Sequence, residues 1–223
     1  MCPLAEILHA KGYTLTGSDH NESDPLRRIR NLGIPVCMEQ RAENVHGAEL
    51  VVYSAAISKD NPELVEASRL GIPTMERCDL LGIITRKFDN VIGVSGTHGK
   101  TTVSSMMTQA LLMNNMEPTA VIGGRLPMIN SNGCAGNSEI MVCEACEFVD
   151  TFLHLSPDQA VLLNIDNDHL DYFKTMDNLV NSFRKFISMA KTVYLNGDDE
   201  LCLKAAENID TNCITFGLDA GND

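Results

Sequence analysis

Residues 93–102 read Gly93-Val94-Ser95-Gly96-Thr97-His98-Gly99-Lys100-Thr101-Thr102. Glycines in such a run let the backbone curl until successive N–H groups face one point. A lysine directly after the last glycine sets an ammonium beside phosphate oxygens, and the next hydroxyl, on Thr101, is a hard oxygen ligand for Mg²⁺. The chemistry this points to is the gripping of a nucleotide polyphosphate. The common form of the pattern has a glycine five residues before Gly99, where this chain has Val94. A glycine-rich turn with a solvated lysine therefore stays open as the alternative.

Two further polar clusters each follow an apolar run. Glu144-Ala145-Cys146-Glu147 follows residues 140–143, and Asp166-Asn167-Asp168-His169-Leu170-Asp171 follows residues 160–165. Glu144 is a candidate Mg²⁺ ligand because hard cations take carboxylate oxygen. His169 is a less usual one, since imidazole suits softer metals. An ordinary loop carboxylate and a hydrogen-bonded turn histidine are the alternatives.

Positioning these groups needs strands that end together. Residues 91–94 are apolar and precede the glycine run, and residues 103–113 have helical character, so strand, loop and helix fall in the order a phosphate site needs. Further strands are expected at 119–122, 140–143, 160–165, 192–195 and 214–216. Helices are expected at 148–155, 176–190 and 199–207, and 125–138 reads as a long loop. The first part of the chain alternates likewise. Helices are expected at 3–11, 24–32, 61–70 and 78–87, with strands at 13–16, 34–36, 50–54 and 73–75. Strand–helix alternation with short connections is the mark of a parallel sheet wound by helices, whose ligands lie beyond the strand C-termini. That rule brings the three polar clusters to one sheet edge. It also places Ser18, Asp19 and Ser54 near a candidate pocket, although Ser18 and Asp19 could equally close a turn and Asp24 could cap the helix that follows it.

Composition narrows the class. The 223 residues are 44% hydrophobic, enough for a large core, and carry a net charge of -13 with no basic run. Nucleic acid is therefore not an expected partner. No apolar stretch reaches the length of a membrane span, and the acidity suits a cytosolic protein. The eight cysteines are scattered, as for free thiols in a reducing compartment. Cys143 and Cys146 form one C-x-x-C pair without a second pair at zinc spacing.

Three stretches, taken in order, resemble the motifs of the Mur ligases of peptidoglycan synthesis, and the resemblance covers the whole chain. They are Ser95-Gly96-Thr97-His98-Gly99-Lys100-Thr101-Thr102, Glu144-Ala145-Cys146-Glu147-Phe148-Val149-Asp150 and Asn164-Ile165-Asp166-Asn167-Asp168-His169-Leu170-Asp171. The resemblance implies an ATP- and Mg²⁺-dependent ligase that activates a carboxylate as an acyl phosphate and couples it to an amine. It is nearest to the branch that uses UDP-N-acetylmuramate and L-alanine. It implies catalytic roles for Lys100, Glu144 and His169. Gly96, Thr97, His98, Gly99, Lys100, Thr101 and Thr102 would bind ATP. Thr101 and Glu144 would hold a first Mg²⁺ and His169 a second. Ser18, Asp19, Ser54 and Ala55 would lie in the turns that bind the UDP-sugar. Several sister branches have a lysine on the helix after the histidine motif where this chain has Phe183, which points to the alanine-adding branch or its peptide-recycling relative.

The expected fold is α/β. A Rossmann-like parallel-sheet domain over residues 1–88, without its first strand and glycine-rich loop, is followed by a P-loop-type parallel-sheet ATP-binding domain over 89–223, without its end and the third domain. Such a fragment is expected to keep the phosphate–Mg²⁺ site without completing ligation. A stand-alone nucleotide-binding module and a non-catalytic scaffold are the competing expectations.

Overall fold

The computed structural model describes residues 1–223. Its internal contacts separate two compact α/β units, residues 1–81 and 82–223.

In the first unit, α1 (Cys2–Ala10) turns Leu4 and Ile7, three residues apart, into the core. β1 (Gly17–Ser18), α2 (Asp24–Asn31) and β2 (Val36–Cys37) form one parallel crossover, and β3 (Val51–Tyr53), α3 (Pro62–Leu70) and β4 (Thr74–Glu76) form another. The two ladders are separate two-stranded sheets. Residues 13–16, expected as a strand, stay outside the ladder. Tyr13 is 60% exposed, and pairing starts only at Gly17, whose N–H donates to the Pro35 carbonyl at 2.9 Å. The cap of α2 is Ser23 rather than Asp24: its Oγ accepts the Leu26 N–H at 3.3 Å, and Asp24 is already the first helical residue. Arg28 of α2 pairs with the buried Glu6 of α1. Burial pushes the Glu6 carboxyl up, and the Arg28 hydrogen bond opposes that shift. On α3, hydrogen bonds from Arg69 and His46 hold Glu66 down to about 2.

α4 (Arg77–Thr85) runs across the division. In the second unit, β5 (Asn90–Ser95), β6 (Thr119–Leu126), β7 (Ser131–Cys134), β8 (Ile140–Glu144), β9 (Gln159–Leu162), β10 (Thr192–Asn196) and β11 (Asn212–Phe216) make one seven-stranded sheet. Its order is β11–β10–β9–β5–β8–β6–β7, and every pairing is parallel except β6 with β7. That exception corrects the long loop expected over 125–138. β6 continues to Leu126, a 3-10 turn at Pro127–Ile129 reverses the chain, and β7 returns along the edge. The inward positions of β7 are Ser131 and Gly133, too small and polar to read as a strand by hydrophobicity.

Helices α5 (Lys100–Met113), α6 (Leu170–Phe173), α7 (Met176–Ile187) and α8 (Glu200–Ala206) complete the unit. Ile92 and Val94 of β5, with Val142 and Val161 beside them, pack beneath Val103, Met107 and Leu111 of α5. The alternate residue Gly93 lies against Phe186 of α7, where an added Cβ would stand 3.0 Å from the ring. Phe186 stacks on Phe152 at 4.8 Å, and Phe183 meets Phe152 edge-on at 5.4 Å. Each of these rings is at most 1% exposed. The Thr175 hydroxyl caps α7, and Asp199 caps α8 through the N–H groups of Leu201 and Cys202. The helix expected at 148–155 is instead a 3-10 segment broken by Val149 and Asp150, both in the left-handed region at φ 53° and 58°. Cys143 lies within the sheet, and burial pushes its thiol up to about 12.

Two outcomes follow from this packing. Phe183→Ala is expected to cost about 3–5 kcal/mol in urea unfolding, because a buried ring is replaced by a cavity. Glu66 titrates lower folded than unfolded, so its contribution is full above pH 4.5 and is lost as the pH falls toward about 2. Glu66→Gln is expected to flatten the fall of the thermal midpoint across that interval; an unchanged slope would exclude Glu66 as its source.

Candidate functional site

The site is laid out by strand register. Val94 of β5 lies opposite Glu144 of β8, and Ser95 lies opposite Leu162 of β9. The loops after these three parallel strands therefore leave the same edge side by side. Ser95 is buried and its hydroxyl donates to the Val161 carbonyl at 2.8 Å, which fixes the root of the first loop to the neighbouring strand.

Gly96 and Gly99 have φ of 134° and 84°, the backbone that glycine adopts without strain. Between them the loop is tied to the third motif. The Thr97 N–H donates to the Asn164 carbonyl at 3.0 Å. The His98 N–H donates to Asn164 Oδ1 at 2.8 Å, and Asn164 Nδ2 donates to the His98 carbonyl at 3.0 Å. Thr97 Oγ1 accepts the Asp166 N–H at 2.9 Å, and the His98 imidazole lies 3.4 Å from Asp166 Oδ2. The loop thus differs from an unbroken ring of free donors, because the N–H groups of Thr97 and His98 are committed to Asn164. Gly99 caps α5 without a side-chain hydrogen bond. The N–H groups of Lys100, Thr101 and Thr102 lie in the first turn, where a helix start leaves donors without an intrahelical partner and its dipole favours an anion.

Thr101 and Glu144 meet directly. Thr101 Oγ1 is 3.0 and 2.9 Å from the two Glu144 oxygens. The Gly123 N–H of β6 donates to Glu144 Oε2 at 2.7 Å and fixes the carboxylate. An added Cβ on Gly123 would stand 2.5 Å from Glu144 Oε1, and one on Gly124 would stand 2.8 Å from Thr101 Cγ2. A side chain at either position would require Glu144 or Thr101 to shift. A hydroxyl and a carboxylate oxygen at this separation fit a hard cation: adjacent ligands of an octahedral Mg²⁺ with bonds of about 2.0–2.1 Å lie about 2.9 Å apart.

Lys100 is 13% exposed, and its ammonium donates to the carbonyls of Gly96 at 2.6 Å and Thr97 at 3.0 Å. Its remaining contact is the carboxylate of Glu147, whose side chain is 2% exposed. Glu147 Oε1 accepts at 3.1 Å, while Oε2 lies 2.9 Å from Nζ in ion-pair contact without a directed hydrogen bond.

His169 caps α6 at φ 54° and makes no hydrogen bond or ion pair with Lys100, Thr101 or Glu144. It joins the other motifs through Phe148, whose ring lies 4.9 Å from the imidazole. Its Nδ1 is 3.6 Å from Asp168 Oδ1. Behind it, Asp150 accepts the Tyr172 hydroxyl at 2.9 Å and also the Ser182 hydroxyl, which links the second motif to α6 and α7. A cleft of about 620 Å³ lies there, lined by Asp150, Tyr172, Phe173, Ser182, Arg184 and Lys185 among others, and none of Lys100, Thr101, Glu144 or His169 faces it.

In the first unit, the Ser18 hydroxyl donates to Glu63 Oε2 at 2.8 Å, and Glu63 also accepts from Asn44. The Asp19 N–H donates to the Cys37 carbonyl, and Oδ1 accepts the Asn21 N–H at 3.0 Å, a local turn. Ser54 and Ala55 open the turn after β3, closed by the Ile57 N–H on the Ser54 carbonyl at 2.9 Å. The two turns end separate ladders.

Four positions gain importance that the sequence left unmarked: Glu147, Asn164, Gly123 and Gly124. Asn164 opens the third motif and Glu147 lies inside the second, but neither has a readable partner in one dimension. The Gly123-Gly124 pair at a strand end was the available signal. Gly123→Ala is expected to displace the Glu144 carboxylate and weaken Mg²⁺-dependent nucleotide binding about tenfold by calorimetry, roughly 1.4 kcal/mol, with far-UV circular dichroism unchanged. Unaltered binding would mean that Glu144 is not a ligand.

Comparison with known proteins also divides the chain in two, near residue 90 rather than at 81. The family description "Mur ligase family, catalytic domain" matches residues 1–89, and "Mur ligase middle domain" matches residues 94–223. A UDP-N-acetylmuramate–L-alanine ligase of Acetivibrio thermocellus is 44% identical across 100% of this chain and 48% of its own length. One from Clostridium novyi is 41% identical, over 100% and 49%. Among solved structures, the UDP-N-acetylmuramate-alanine ligase of Thermotoga maritima superposes with a TM-score of 0.83 at 26% identity, covering 97% of this chain and 50% of its own. The UDP-N-acetylmuramate:L-alanyl-gamma-D-glutamyl-meso-diaminopimelate ligase of Neisseria meningitides gives a TM-score of 0.86 at 25% identity, covering 97% and 74%. The chain spans about half the length of the alanine ligases it matches. No helix is long and apolar enough to cross a membrane.

Proposed function

Since the chain belongs to the Mur ligase family, we propose that it carries the UDP-sugar-binding part, residues 1–88, and the ATP-binding part, residues 89–223, of a cytoplasmic ligase joining L-alanine to UDP-N-acetylmuramate. The observation that carries this reading is the contact of Thr101 with Glu144, and of the neighbouring Lys100 with Glu147, where β5 and β8 end level. ATP transfers its terminal phosphoryl group to the muramoyl carboxylate. The amine of L-alanine then attacks the acyl phosphate, giving the amide and phosphate, with ADP left from the first step.

Each group has a physical task in that sequence. The first-turn N–H groups of α5 hold phosphate oxygens. Lys100 places a positive charge on the transferring phosphoryl group, where charge builds in the transition state. Thr101 and Glu144 would hold one Mg²⁺ and His169 a second, and the metal supplies charge neutralisation between two anions that otherwise repel. Holding carboxylate and phosphate in line supplies the rest, because positioning converts a bimolecular step into a local one. Ser18, Asp19, Ser54 and Ala55 are assigned to the UDP-sugar turns. The 40–44% identity to alanine-adding ligases favours L-alanine over a peptide as the incoming amine.

Calorimetry with MgATP and with UDP-N-acetylmuramate tests the assignment. Binding of both supports the ligase; binding of MgATP alone leaves a nucleotide module, and binding of neither overturns the reading. In amide-forming turnover, Lys100→Ala is expected to lower the rate by about 10³-fold, the scale of a lost phosphoryl-site charge. A loss below tenfold would remove Lys100 from the phosphates.

A further inference from the structure

We propose that Glu147 is a positioning residue that holds Lys100 in reserve and competes with the nucleotide for its ammonium. The inference rests on Lys100 being the phosphate-binding lysine proposed above.

An ammonium has three N–H donors and no more. Here all three are committed, to the Gly96 carbonyl at 2.6 Å, the Thr97 carbonyl at 3.0 Å and Glu147 Oε1 at 3.1 Å. A phosphate oxygen can therefore be engaged only by exchange. The two carbonyls belong to the loop that carries the lysine, and they sit within four residues of it. Glu147 comes from a different strand end, 47 residues away, so it can part from the lysine without reshaping the loop. It is also the only anion among the three acceptors, so it is the one that an incoming phosphate repels.

The Glu147 side chain is 2% exposed, and its Oε2 is buried without a directed hydrogen bond. A carboxylate so deeply buried needs a partner, and Lys100 is the cation it has. The pairing keeps the lysine oriented and largely out of water. When a polyphosphate arrives, Glu147 stands as a like charge beside it, so part of the binding free energy goes into the exchange. The result is a nucleotide site whose affinity is set below what its donors alone would give.

The test is calorimetric titration of MgATP into this chain and its variants, with thermal unfolding as the fold control. Glu147→Gln keeps the shape and removes the charge, and it is expected to bind MgATP about tenfold more tightly, the size of one charge-assisted hydrogen bond. Glu147→Asp keeps the charge but withdraws it by one methylene, and its affinity is expected to fall between wild type and Glu147→Gln. A residue with a merely structural role gives equal or weaker binding when altered, so affinity equal to or below wild type in both variants overturns the proposal. Should Glu147→Gln not fold, the aspartate variant decides alone: tighter binding upholds the exchange, and unchanged or weaker binding overturns it. Lys100→Ala is the separate control for the functional reading. If wild type and Lys100→Ala bind MgATP alike, the phosphate site itself is misassigned. If Lys100→Ala loses binding while neither Glu147 variant gains it, only the role of Glu147 falls.

Discussion

Parallel register is the constraint from which the site follows. β8, β5 and β9 are neighbours in one sheet, and Val94 faces Glu144 while Ser95 faces Leu162. Three loops must then emerge at one level, each with backbone donors and acceptors that the sheet no longer satisfies. They satisfy one another. Asn164 takes the N–H groups of Thr97 and His98, and Thr97 Oγ1 accepts from Asp166. The glycine loop is therefore held as much by the third motif as by its own conformation, and the N–H groups of Thr97 and His98 are not among its free donors.

The second motif is the bracket between the other two. Glu144 reaches Thr101, Glu147 reaches Lys100, Phe148 lies on His169 and Asp150 accepts from Tyr172. Contacts alternating to both sides within seven residues cannot be made by a regular helix, whose neighbours at three and four residues share one face. Val149 and Asp150 adopt left-handed backbone at this point. Such conformations in non-glycine residues cost of order 1–3 kcal/mol each and persist where surrounding contacts over-determine them. The Asp150 carboxylate, held by Tyr172 and Ser182, is such a contact.

Charge is arranged to match. The chain is strongly acidic, with a net charge of -13, yet its candidate ligand is a polyanion. A global field that repels such a ligand would leave recognition to short-range groups, and the proposed site offers one lysine, the start of one helix and oxygens spaced for a cation. Placing a buried glutamate against that lysine is consistent with the same logic, since an isolated ammonium buried beside two carbonyls lacks a countercharge.

Much of this was legible in one dimension. Alternating apolar runs and glycine or proline stops fixed the order of nearly all helices and strands, because burial on a parallel sheet demands continuous apolar segments. The glycine–lysine–threonine run and the two polar clusters stood out by residue type, and the fold brings their loops to one sheet edge. What composition could not reveal was pairing. The strand at 131–134 is written in serine, asparagine, glycine and cysteine and exists because β6 lies beside it. The first unit holds two separate ladders, and residues 13–16, apolar enough to suggest a strand, join neither. Glu144 and Glu147 are both glutamates three residues apart, and nothing local separates their tasks. Only the folded chain brings Gly123 and Thr101 to one and Lys100 to the other, since each of those contacts joins residues between 21 and 47 positions apart.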